Sequence, residues 1–131
     1  MKDETKQWLD YADENLQSAK VLLDHKLFNP VLQNVQQAVE KMLKAVFIEF
    51  AIKFKKTHSI TELATILAEN NIEIDITEDN CDLLDSIYLP SKYPLGSVLP
   101  DFEPDSQTCS KCVAVAEDVR NSVLKLLKRK G

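Results

Sequence analysis

Glycine is almost missing from this chain: two in 131 residues, Gly96 and the terminal Gly131. No glycine-rich phosphate loop of the GxGxxG or Walker type can therefore be written. Folds built on many tight turns, such as sandwiches and small barrels, are disfavoured for the same reason. Histidine and arginine are equally scarce, with His25 and His58 on one side and Arg120 and Arg129 on the other. The three cysteines, Cys81, Cys109 and Cys112, are an odd set and do not form a complete disulfide framework. No apolar run reaches the length of a membrane span, and Met1 to Gln7 is too polar for a signal segment. The expectation is a cytoplasmic protein with no membrane partner. A formal charge of −5 argues against broad binding to nucleic-acid backbones and offers no DNA signal, although a local basic patch remains compatible with it.

What is present is ordinary globular composition, 44% hydrophobic and 28% charged, at a length that suits one domain over residues 1–131. Trp8, Ala12, Leu16, Ala19 and Leu23 recur at steps of four and three, which predicts a helix from about Glu4 to Asp24. Asn29 as cap and Pro30 in the first turn open a second helix. One face of it carries Val31, Val35, Ala38, Met42, Ala45 and Val46. An adjacent face carries Leu32, Val39, Leu43, Phe47, Phe50 and Phe54, with Lys53, Lys55 and Lys56 at its C-terminal end. So broad an apolar surface predicts an interior helix, or one packed on both the core and a partner. Ser59-Ile60-Thr61-Glu62 reads as a capping box for a short helix ending near Asn70-Asn71. Ile72, Ile74 and Ile76 alternate like a strand, but a lone strand has no sheet to join, so an extended, docked connection is expected.

Thr77 caps a further helix, with Pro90 and Pro94 bracketing its end. A proline-rich loop follows, long enough for a helical protein to be a candidate functional element. The last helix starts near Asp105 or Ser106 and reaches Lys128. Together these elements predict an all-α fold: an antiparallel up-and-down four-helix bundle with an additional short helix between the second and third long helices.

Several residue groups invite a chemical reading. Lys92, between Tyr88 and Tyr93, suits a nucleotide or RNA contact, or else the tyrosines close the bundle end around a solvated lysine. Gln36, Gln37, Glu40, Lys41 and Lys44 either line a polar groove or serve packing and surface pairing; Glu40 and Lys44 as an exposed i,i+4 pair contribute about 0.2–0.5 kcal/mol. Cys109-Ser110-Lys111-Cys112 has CxxC spacing, but a zinc site wants four ligands and the packing reading is preferred. His58 acts as a base only if the fold sets it beside Lys92 or Tyr93; otherwise it makes a structural hydrogen bond or an exposed turn. From Glu62 to Asp85 eight acidic residues stand without a lysine or arginine, yet neither the spacing nor the central glycine of a calcium loop occurs. No metal and no cofactor is expected. The lysines from Lys125 to Lys130 need no explanation beyond their helix C-terminus.

The stretch from Trp8 to Pro94 resembles the HEPN domain family. Trp8 to Ala19 looks like the family's opening, and Gln36-Gln37-Ala38-Val39-Glu40-Lys41-Met42-Leu43-Lys44-Ala45 is similar to its most recognisable segment, QQAxEKxLKA. His58-Ser59-Ile60 with Leu63 resembles the next landmark. Tyr88-Leu89-Pro90-Ser91-Lys92-Tyr93-Pro94 resembles a loop motif normally written Y-x-P-x-R-Y-P. The resemblance implies a four-helix bundle, frequent homodimerisation and, often, a separately encoded nucleotidyltransferase partner in a toxin–antitoxin system.

The family's active ribonucleases carry an arginine followed after four to six residues by histidine. Neither Arg120 nor Arg129 has a histidine after it, and Lys92, which stands where the loop motif normally has arginine, has none after it either. RNA cleavage without a metal needs a group that accepts the 2′-hydroxyl proton near neutrality, which histidine does and an ordinary phenol does not. The expectation is therefore no catalytic residue and a noncatalytic interaction protein. Nucleotide or RNA contact is assigned to Lys92, Tyr93, Tyr88, Gln37, Lys41 and Lys44. The alternative is a divergent metal-independent ribonuclease toxin.

Overall fold

A computed structural model describes residues 1–54, 56–92 and 104–130, with side chains for 1–54, 56–87 and 104–128. Five helices follow one another: α1 (Asp3–Asp24), α2 (Phe28–Glu49), α3 (Ile60–Glu69), α4 (Glu78–Lys92) and α5 (Ser106–Lys130). They form the expected all-α antiparallel bundle, with α3 as the short additional helix.

Helix α2 is the axis of the fold: α1, α3, α4 and α5 all pack against it. Both of its apolar faces are covered, so Val31, Val35, Val39, Met42, Leu43, Val46 and Phe47 are buried together. The inward side of α1 supplies Ala12, Leu16 and Ala19, whose small or slender side chains let the two backbones approach. Helix α5 contributes Cys109, Cys112, Ala116, Val119 and Val123 at helical spacing, and α4 contributes Cys81, Leu84 and Ile87. Burying a large aliphatic side chain contributes about 1.5–3 kcal/mol, so this shared core dominates the stability.

Three helices end alike despite the lack of glycine. Lys26, Ala51 and Asn71 have φ of 59°, 53° and 62°, the left-handed region that glycine usually fills. Behind each, an apolar residue donates its backbone N–H to an apolar residue five positions back: Leu27 to Leu22, Ile52 to Phe47 and Ile72 to Leu67. Each stop is thus a Schellman turn, in which the hydrophobic pair accompanies the hydrogen bonds and offsets a left-handed cost of about 1–2 kcal/mol.

The connection after α3 is extended, not a strand: Ile72 is buried, and Ile74 and Ile76 pack on the core. Thr77 Oγ1 accepts from the Asn80 N–H at 3.1 Å, the cap the sequence places there, and Asp105 Oδ1 accepts from the Thr108 N–H at 2.7 Å just before α5, whose start at Ser106 is one of the two expected. That backbone hydrogen bond from Thr108 holds the Asp105 carboxyl below its ordinary value.

Three local expectations differ. Helix α2 begins at Phe28, after Leu27, which has no side-chain cap bond; Asn29 is already inside the helix and Pro30 occupies its first turn. The same helix stops at Glu49, so Lys53 and Lys56 lie beyond its end, while Lys55 lies outside the described residues. Phe54 nevertheless reaches back to the core, its ring centroid 4.6 Å from that of Phe47. Helix α4 continues through Pro90 to Lys92, because a proline removes one N–H bond without necessarily ending the helix around it.

Candidate functional site

The polar residues of α2 gather on the side that meets α1 and the segment before α3. Gln36, Glu40 and Lys44, spaced four apart, fall on one face and are all buried, Glu40 to 4% exposure and Lys44 to 9%. Glu40 is their centre. Its Oε2 accepts from Lys44 Nζ at 2.8 Å and its Oε1 from Gln36 Nε2 at 3.2 Å. His58 Nδ1 lies 3.1 Å from the same Oε1, and Gln36 Nε2 also donates to the His58 carbonyl at 3.3 Å. Gln37 Nε2 donates to Gln36 Oε1 at 2.8 Å, extending the network by one residue. A buried ion pair persists only when its remaining lone pairs and protons are satisfied, and this network supplies those partners.

The network corrects one expectation. Glu40 and Lys44 are not an exposed surface pair; the apolar girdle of Ala38, Val39, Met42 and Leu43 takes them into the interior. Lys44 is consequently committed to Glu40, with its ammonium also 5.8 Å from the Trp8 ring centroid. Lys41, one turn away on a more open face, is tied differently. Its Nζ donates to Asn15 Oδ1 at 2.6 Å and stands 6.0 Å from the Tyr11 ring centroid. Asn15 in turn donates to Asn34 Oδ1 at 3.0 Å. The α1–α2 seam therefore has a polar edge beside its apolar core, with Lys41 paired to a neutral amide.

His58 makes the structural hydrogen bond that was one of its two expected roles, and its side chain is still 45% exposed. It opens a junction held by Asp85 of α4. Asp85 Oδ1 accepts from the Ile60 N–H at 2.6 Å, and its Oδ2 accepts from the Ser59 hydroxyl at 3.0 Å and the Thr61 N–H at 3.2 Å. Ser59 Oγ accepts from the Glu62 N–H at 3.1 Å, which is half of the expected capping box. The other half is altered, since Thr57 Oγ1 accepts from the Ser59 N–H and donates to Glu62 Oε2 at 2.9 Å. A carboxylate at a helix N-terminus is favoured by the dipole and by the open N–H groups there. Glu49 plays the same part for α1, its Oε1 accepting from the Lys2 N–H and the Thr5 hydroxyl, both at 2.9 Å.

The residues assigned to nucleotide contact thus separate into two sets. Gln37, Lys41 and Lys44 share α2. Lys92 and Tyr88 are placed only as backbone in the last turns of α4, and Tyr93 lies outside the described residues, as does the loop through residue 103. Sequence reasoning missed Asp85, Glu49, Asn15 and Tyr11. The available signal was the all-round hydrophobicity of α2, which puts any polar residue on it against a neighbouring helix.

The cysteines are buried and unbridged. Burial pushes the thiols of Cys81, Cys109 and Cys112 up to about 11, so little thiolate is present near neutral pH for redox exchange. Among the described residues, no group of three His, Cys, Asp or Glu is placed to hold a metal ion, and no helix is long and apolar enough to cross a membrane.

A family model for the HEPN domain matches residues 5–127. No curated protein matches the chain. Among solved structures, TT1696 from Thermus thermophilus is similar with a TM-score of 0.73 and 22% identity, over 95% of this chain and 98% of that one. The archaeal HEPN homologue ST0689 gives a TM-score of 0.70 and 20% identity, over 96% and 98%. A HEPN domain protein from Thermotoga maritima gives 0.68 and 25%, over 94% and 98%. These likenesses support the bundle topology along almost its whole length.

Proposed function

The chain belongs to the HEPN domain family, and on that premise we propose that it is a noncatalytic member acting through contacts. In this reading it binds a nucleotide or RNA through Lys41, Gln37 and the Tyr88–Tyr93 segment. It forms a homodimer and pairs with a separately encoded nucleotidyltransferase in a toxin–antitoxin-like system in the cytoplasm. The observation that carries the noncatalytic part is the employment of its few candidate catalytic side chains in holding helices together. His58 is bound to Glu40, and Arg120 Nε donates to Asp13 Oδ1 at 2.7 Å. Neither Arg120 nor Arg129 is followed by a histidine, so the family's arginine–histidine pair for phosphodiester cleavage cannot be written in this sequence.

One observation favours the second reading, a divergent metal-independent ribonuclease. A buried carboxylate holding one ring nitrogen of a half-exposed histidine is also how a general base is oriented, and Glu40 does this to His58. Incubating the purified protein with defined RNA, beside H58Q, K92A and Y93F, separates the two. Retention of intact RNA supports the contact role. Cleavage that disappears in H58Q or K92A, with folding retained, establishes the enzyme instead. Co-purification with a nucleotidyltransferase encoded beside this chain tests the partner.

A further inference from the structure

The outer edge of α1 carries a feature that the α2 residues alone do not explain. Glu4, Gln7, Trp8 and Tyr11 recur at steps of three, one and three, so they share one helical face, and they line a depression of about 170 Å³. Tyr11 is 55% exposed, the one aromatic among the exposed large apolar side chains of the described residues, beside Met1, Val21 and Leu27. A lysine of α2 stands beside each ring: Lys44 by Trp8 and Lys41 by Tyr11. The two lysines are not equivalent. Lys44 is paired with Glu40, whereas among the described residues the ammonium of Lys41 meets the amide oxygen of Asn15 and the Tyr11 ring and no carboxylate.

We propose that this face is a nucleotide subsite, with a base stacked against Trp8 and Tyr11 and its phosphate drawn to Lys41. The inference rests on the contact role proposed above and gives it a location on α1. Aromatic faces accept any base, because every base presents a π surface, and a lysine contributes the charge that a phosphate seeks. Gln7 offers a donor and an acceptor to the base edge, and Glu4 offers acceptors at the end of the face away from Lys41. From Glu4 to Tyr11 the helix rises about 10 Å, room for a single nucleotide unit. The same unit can come from a free mononucleotide or from an unpaired residue in an RNA strand.

Trp8 is the only tryptophan in the chain, so its fluorescence reports on this face alone. The experiment titrates the full chain with AMP, GMP, guanosine and a 5′-phosphorylated ribohexamer, following Trp8 emission, with equilibrium dialysis run in parallel. Quenching by mononucleotide or hexamer is expected, and the tighter of the two identifies the source. Y11A is expected to weaken binding about tenfold and Y11F to leave it unchanged, in keeping with a stacking contact. K41M is expected to weaken GMP while leaving guanosine alone. Dialysis showing binding without quenching, or binding indifferent to Y11A, overturns the subsite and leaves the contact role standing. Dialysis showing no binding of any of these ligands overturns both.

Discussion

Helix α1 is joined to its two neighbours by opposite uses of charge. On the α2 side, charge is internal: the Glu40–Lys44 pair lies within α2, buried, with Gln36 and His58 completing its hydrogen bonds, and Lys44 meets α1 at the Trp8 ring. Against α5, charge is peripheral: Arg120 reaches Asp13, and Lys20 reaches Glu117, along an open groove of about 270 Å³. The Arg120–Asp13 contact is the better formed in geometry, with Nε at 2.7 Å and Nη2 at 3.4 Å from the two carboxylate oxygens. The hydrogen bond to Asp13 raises the guanidinium's pKa further. Geometry does not rank the two seams by consequence, however. Water competes for an exposed pair and screens it, whereas a buried charge that loses its partner has nothing to replace it.

Breaking the internal pair should therefore have the largest effect. Glu40→Ala strands the Lys44 ammonium in the core and is expected to cost about 3–5 kcal/mol, read as a fall in the denaturant midpoint. Replacing both partners together, as E40L with K44M, is expected to recover most of that loss, because an apolar pair has no charge to desolvate. A double variant as unstable as E40A would show that the hydrogen bonds to Gln36 and His58, rather than the charge, hold the seam.

Asp85 lies between the two extremes, a half-buried carboxylate paired with N–H groups instead of a cation. Asp85→Ala is expected to cost about 1.5–3 kcal/mol and to raise amide exchange first at the start of α3. An uncharged change calibrates these numbers on the same central helix. Ala51→Gly relieves the left-handed residue behind α2 and is expected to add about 1 kcal/mol of stability, visible as a higher Tm. The smallest effect belongs to the outer seam: Arg120→Ala is expected to cost about 0.2–1 kcal/mol, and less at high salt. A loss comparable to that of E40A would erase the distinction between the seams.

The cysteines offer a check on the core that all of these changes perturb. Because burial raises the three thiols to about 11, almost none is thiolate near pH 8, and a thiol reagent should react slowly with the native chain. Reaction should accelerate on unfolding, and by more in E40A than in R120A at equal reagent. Fast labelling of the native protein would contradict the packing of Cys109 and Cys112 against α2.

The helices were legible because each is written in local terms: apolar residues every three or four positions, and Ser59 and Thr77 ready to cap. The helix stops were less legible. Lys26 and Ala51 carry no glycine signal, and only the apolar pairs Leu22–Leu27 and Phe47–Ile52 hint at the turns. Pro90 misled in the other direction, since a bundle supplies contacts that outlast one missing hydrogen bond. Of the contact residues, the QQAxEKxLKA segment was readable as a motif, but its division of labour was not. Glu40, Lys41 and Lys44 look alike as charged letters on a helix, and the difference between them is which side faces α1, the core or water.

Read by itself, the chain determined an all-α bundle, its order of helices and the absence of an arginine–histidine pair. Those depend on periodicity, caps and residue inventory, all local in sequence. The tertiary structure alone decided that Glu40 is buried, that Asp85 and Glu49 cap helices other than their own, and that Trp8 and Tyr11 stand beside lysines of α2. Each of these depends on residues far apart in the chain, 25 and 47 positions apart in the two capping bonds. Their energetics follow from desolvation and mutual distance, quantities that exist only once the helices have packed.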